Sequence, residues 1–116
     1  MSVSQVVVES TRVDLYVTVT DENDAVVNLT GGSAKLQGRC AQLPSVTVDV
    51  TMSLFDPAQG VVKYAQLPTL VTQANLDGIP SASVTFTFRV RFQDAAGLFS
   101  YTDEFSIEFF KKPTVL

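Results

Sequence analysis

VTFTFRVRFQDAAGLFSYTDEFSIEFF, residues 84–110, alternates apolar and polar residues almost without a break around one short polar interruption. Successive side chains of a strand point to opposite faces, so this alternation predicts two strands, each with one buried and one wet face. In the first strand the even positions Val84, Phe86, Phe88, Val90 and Phe92 are apolar, and in its partner the odd positions Phe99, Tyr101, Phe105, Ile107 and Phe109 are. Cross-strand partners share a face, so the residue numbers of each opposed pair should sum to an odd value, with Phe92 opposite Phe99 across a tight turn at residues 94–97. An even-sum register would set Ser100, Thr102 and Glu104 against phenylalanines.

The same period of two runs outward from this hairpin. In residues 12–21 the inward set is Val13, Leu15, Val17 and Val19, against Asp14, Tyr16, Thr18 and Thr20. A polar turn of Asp21, Glu22, Asn23 and Asp24 follows, then short strands at 25–29 and, past Gly31 and Gly32, at 33–39. Residues 45–54 place Val46, Val48, Val50, Met52 and Leu54 on one side, with Pro44 opening the strand where its missing N–H does least harm. FDPAQG, residues 55–60, reads as a β-turn, because Pro57 presets φ, Asp56 bonds locally and Gly60 tolerates positive φ. A strand at 61–67 follows, and then a crossing loop at 67–80 with one helical turn near 72–76. No window carries a helical stripe. Seven to nine short strands and one long crossing connection predict an all-β fold, an Ig-like antiparallel β-sandwich with Greek-key connections. With one cysteine and no tryptophan, its core must rest on phenylalanine and valine.

At 116 residues and 12.6 kDa the chain is sized for a single domain spanning 1–116, with residues 1–10 as an N-terminal arm or edge strand and 111–116 as a C-terminal tail. The surface-scaling rule gives roughly 6,200 Å² exposed when folded against about 18,000 Å² unfolded, enough burial to fold without disulfide or metal. Hydrophobic residues make up 46% and charged residues 17%, which fits a compact soluble protein. The net charge is -4 with only 8 basic residues, so a clustered basic footprint for phosphates is missing and no nucleic-acid partner is expected. No window approaches the roughly 18 apolar residues of a membrane span, and MSVSQVVVES lacks the basic start and apolar stretch of a signal peptide. Synthesis in a cytoplasm and no membrane partner are expected.

Side chains able to carry chemistry are few. Cys40 is the only cysteine, reads as a half-buried strand residue, and has Arg39 as its one nearby cation and no histidine to serve as base. The acidic cluster Asp21, Glu22, Asn23 and Asp24 lacks calcium-loop spacing and reads as a solvated turn. Asp103 falls on the face expected to be buried, and it marks a β-bulge, a sheet end or a partner for Arg89 or Arg91 rather than a catalytic acid. Arg89 and Arg91 share the polar side with Glu104 and Glu108, so modest cross-strand ion pairs are expected. Asn28-Leu29-Thr30 matches the glycosylation sequon by chance, and Gly31-Gly32 lacks the lysine and following helix of a phosphate loop. No catalytic, cofactor-binding or metal-binding residue is assigned, and no enzyme activity or cofactor is expected.

The order of these segments resembles the Ig-like N-terminal domain of baseplate upper proteins of tailed bacteriophages. In that family a strand ending in an acidic turn leads to an LTG step, here Leu29-Thr30-Gly31. A D-x-x-x-G turn follows, here Asp56 to Val61, and a closing F-x-F-x-V-x-F-x-D-x-x-G hairpin, here residues 86–97. The resemblance spans residues 12–109. It implies a non-enzymatic building block of a phage virion that joins capsid, tail or baseplate proteins through sheet edges or loops, in a symmetric oligomer or lattice, with no catalytic residues to carry over. Two departures stand out. The family's glycine is missing from the first acidic turn, and the chain stops at Leu116 where baseplate upper proteins continue, so a capsid decoration or cement role is expected beside a tail or baseplate one.

Residues 3–8 and 111–116 read as arms suited to strand addition on a neighbour. The alternative is a surface-binding module, an adhesin or carbohydrate-recognition domain that contacts host cells, with Tyr16 and Tyr64 as the wet-face aromatics for a sugar.

Overall fold

The computed structural model describes residues 5–8 and 13–112, and most of the alternating segments form strands in it. The elements are β1 (Gln5–Val7), β2 (Leu15–Thr18), β3 (Ser33–Arg39), β4 (Thr47–Asp56), β5 (Val61–Tyr64), α1 (Gln73–Leu76), β6 (Ser83–Gln93), β7 (Phe99–Tyr101) and β8 (Phe105–Phe110). The protein is all-β. Its strands run β1-β8-β6-β3-β4-β5-β2 in one eight-stranded sheet, with β7 also on β6. Long β4 makes this possible, because it pairs with β3 over its first part and with β5 from Ser53 onward. The sheet curls about that strand, and the apolar faces of both parts close on one core.

Every ladder is antiparallel except β1 with β8, where Gln5, Val6 and Val7 pair in parallel with Glu108, Phe109 and Phe110. This corrects the all-antiparallel expectation. The two strands lie at opposite ends of the chain, so no hairpin dictates their direction. The short strand expected at 25–29 reduces to a single bridge, Thr20 to Val26. Its backbone bonds are shared among partners instead, with Val27 N–H donating to the Val19 carbonyl and Leu29 N–H to that of Pro57.

Residues 55–60 turn the chain as a 3₁₀ turn over Pro57–Gln59 rather than a simple β-turn, and Gly60 closes it at φ 69°. The Asp56 side chain gives no cap. The crossing connection carries the helical turn its sequence predicts: Thr72 caps α1 by accepting the Asn75 N–H at 3.2 Å, and the Asn75 side chain accepts the Thr72 N–H at 2.9 Å.

Phenylalanines of β6 and β8 fill the centre. Phe86, Phe88 and Phe109 are fully buried, with ring centres 5.4 Å apart for Phe86 and Phe109 and 5.9 Å for Phe86 and Phe88. Phe88 has room only because its partner on β3 is Gly38, where an added Cβ would lie 2.4 Å from the Phe88 ring. Cys40, expected to be half-buried on a strand, is instead buried just past β3, and its thiol contacts Gln42 Oε1 at 3.2 Å. It is a core residue. Gly38→Ala is expected to destabilise the protein by about 1–3 kcal/mol, as overpacking of a tight core does, read as a lower urea midpoint with an unchanged slope.

Candidate interaction surface

The β6–β7 hairpin decides what this protein shows to solvent. Asp94 starts its turn by accepting the N–H groups of Ala96 and Leu98 on Oδ1, each at 3.0 Å, and the Gly97 N–H donates to the Asp94 carbonyl at 3.0 Å. Gly97 then takes φ 89°, a left-handed conformation that costs glycine little. This is a type I turn followed by a left-handed residue, and it closes a loop of odd length between Asp94 and Leu98.

An odd loop forces an even-sum register. Gln93 pairs with Phe99, Phe92 with Ser100 and Arg91 with Tyr101. The expected pairing of Phe92 with Phe99 is therefore corrected, and Phe99 and Tyr101 face outward beside the arginines rather than into the core. The core register returns further on, where Phe88 pairs with Phe105, Phe86 with Ile107 and Val84 with Phe109. Thr102 N–H still bonds the Val90 carbonyl, so Asp103 and Glu104 together oppose Arg89 as a β-bulge. That explains why Asp103 breaks the alternation.

The outward face is a ladder of rings and guanidiniums. Leu98, Phe99 and Tyr101 are 72%, 56% and 42% exposed. Arg89 Cζ lies 4.0 Å from the Tyr101 ring centre and Arg91 Cζ 4.6 Å from that of Phe99, each reaching diagonally across the strand pair. Such contacts are worth about 0.5–1 kcal/mol at exposed sites. Phe99 and Tyr101 meet edge to face at 6.2 Å. Arg89 Nε also donates to Gln37 on β3 at 3.1 Å.

The expected pairs of Arg89 and Arg91 with Glu104 and Glu108 do not form. Glu104 lies 3.6 Å from Arg39, and Glu108 accepts from Ser83 and Gln5. The bulge and the stacked rings draw the four side chains apart. Lys35 and Arg39 stand on the same outer side of β3, so this face holds half of the chain's eight lysines and arginines. Lys35 lies 3.8 Å from Asp49.

Asp21, Glu22, Asn23 and Asp24 form an exposed turn in which Asp21 Oδ1 accepts the N–H groups of Asn23 at 2.8 Å and Ala25 at 3.0 Å. Asp24 sits at φ 61°, the conformation that would otherwise call for glycine. A cleft of about 780 Å³ runs from this turn to the bulge, with Asp103 and Glu104 on its far side. Among the described residues no three His, Cys, Asp or Glu side chains are grouped to hold a metal ion.

Tyr16 is exposed and meets Phe55 edge to face at 5.1 Å, with Lys63 Nζ 5.5 Å from the Tyr16 ring centre. Tyr64, expected on the wet face, pairs with buried Leu15 and packs against the core. Of the two arms, Gln5–Val7 is β1, Lys111 N–H bonds the Ala82 carbonyl at 2.9 Å, and residues 3, 4 and 113–116 lie outside the described residues.

Compared with known proteins, the chain matches no protein-family model and no curated protein. If the ladder is not part of the core, Tyr101→Ala costs less than about 1 kcal/mol of stability while Phe109→Ala costs about 3–5. Equal losses in chemical denaturation would make the ladder a structural element.

Proposed function

We propose that this chain is a non-enzymatic Ig-like structural domain of a tailed-bacteriophage virion, a capsid decoration or cement protein or a tail or baseplate component. It binds a neighbouring virion protein through the outer face of β6 and β7. The observation that carries the reading is the exposure of Phe99 and Tyr101 on one face of a hairpin whose tip carries the exposed Leu98. Aromatic side chains at an interface supply large rigid contact area, and full burial of each is worth about 1.5–3 kcal/mol.

Two further features support it. The partial orders β2-β5-β4 and β3-β6-β8 correspond to the B-E-D and C-F-G orders of an immunoglobulin sandwich, read in chain order. The pairing of β3 with β4 is the departure, since it joins the two layers. The phage assignment rests on the motif resemblance over residues 12–109. A chain without histidine and with one buried cysteine offers little for acid–base or nucleophilic chemistry.

A second reading rests on Tyr16 and Phe55, an exposed ring pair that suits a sugar face and a host-contacting module. Binding on a glycan array that vanishes with Tyr16→Ala would favour it. The first reading is tested by mass spectrometry and immunogold labelling of purified particles. Label on the head identifies a decoration role and label at the tail tip a baseplate role, whereas absence from the particle removes the structural reading. The double variant Phe99→Ser and Tyr101→Ser is expected to bind particles about tenfold or more weakly, as loss of anchoring aromatics does.

A further inference from the structure

We infer that Arg89 and Arg91 form a paired guanidinium site for an extended acidic segment of the partner protein, with carboxylates on alternate residues. This rests on the docking face just proposed and adds the chemistry of its occupant. The first ground is orientation. Each guanidinium is held over a ring, Arg89 over Tyr101 at 4.0 Å and Arg91 over Phe99 at 4.6 Å, and Arg89 Nε is further tied to Gln37. Stacking fixes a planar fork before any partner arrives, which lowers the ordering cost of binding.

The second ground is vacancy of the charge. Arg91 has no hydrogen bond or ion pair among the described residues, and Arg89 has only its bond to Gln37. The acids that should serve them, Glu104 and Glu108, are engaged by Arg39 and by Ser83 and Gln5. Two half-buried cations are left on the outer face beside the exposed rings of Phe99 and Tyr101. A bidentate carboxylate is the group that fits such a fork best.

Spacing selects the occupant. Arg89 and Arg91 are two residues apart on one strand face, about 6.7 Å by strand geometry, which is also the repeat of same-side residues in an extended peptide. A single-stranded nucleic acid fits less well. The other two cations on this face, Lys35 and Arg39, already have carboxylates at 3.8 and 3.6 Å, so few charges remain to track a phosphate backbone. The net charge of -4 repels an acidic partner at long range, but a Debye length of about 8 Å at physiological salt leaves the local patch in control.

The test uses the full chain and two labelled synthetic peptides, one alternating glutamate and valine, the other alternating glutamine and valine, with binding read by fluorescence anisotropy. The glutamate peptide is expected to bind more tightly, to weaken with added salt, and to lose roughly tenfold or more with Arg89→Lys plus Arg91→Lys, which keeps charge and removes the fork. Should that double variant unfold early, Arg91→Lys alone carries the same comparison. Equal binding of the two peptides, no binding of the glutamate peptide, or full binding by the lysine variant overturns the inference. Tighter binding of a single-stranded oligonucleotide than of the glutamate peptide overturns it in favour of a polyanion. Particle binding separates the two levels: loss with the Phe99→Ser and Tyr101→Ser variant but not with the lysine variant keeps the docking face and sinks the carboxylate site, while indifference to both sinks the docking face.

Discussion

β6 holds two neighbours in two registers, and the organisation of this end of the molecule depends on that offset. Toward β8 the register is odd-sum and places Phe105, Ile107 and Phe109 over the core. Toward β7 it is even-sum and places Phe99 and Tyr101 in solvent. Gly97 in its left-handed conformation creates the offset and the Asp103-Glu104 bulge cancels it. Without the bulge, one of the two strands would present its wrong face. A hairpin that exposes Leu98, Phe99 and Tyr101 forgoes several kcal/mol of burial, at about 1.5–3 kcal/mol each, which supports the proposed binding role.

The platform under the ladder is closely packed for a separate reason. Phe88 lies in the space that Gly38 leaves open, with the rings of Phe86 and Phe109 packed near its own. β6 is therefore fixed by its buried face while its outer face carries Arg89 and Arg91. Because Gln37 and the two rings hold those arginines, the face is organised before a partner meets it. Four of the chain's eight cations lie on that side, two of them, Lys35 and Arg39, with a carboxylate beside them.

Much of the fold could be read from period-two alternation, because burial of one face imposes it directly. β3 and β6 take the bounds that their patterns give, and the capped turn at α1 follows from Thr72 and Asn75. What pattern reading lost was parity. Treating residues 94–97 as an even loop put Phe99 opposite Phe92, yet Asp94 and Gly97 carry the signal for a three-residue loop with a left-handed close. The exposed ladder follows from that one reading. The parallel β1–β8 pair and the double use of β4 were not legible, since both depend on which strands meet across the chain. Tyr64 was misplaced for a simpler reason: residues 61–64 have apolar neighbours on both sides of the chain, so their alternation does not say which face is wet.

The most direct measurement is site-specific photo-crosslinking on purified particles, with a photoreactive phenylalanine analogue at position 99 and, as control, at position 55 on the other part of the sheet. The account predicts one dominant crosslinked virion protein from position 99 and none from position 55. Crosslinking from position 55 alone, or none from either, would contradict it.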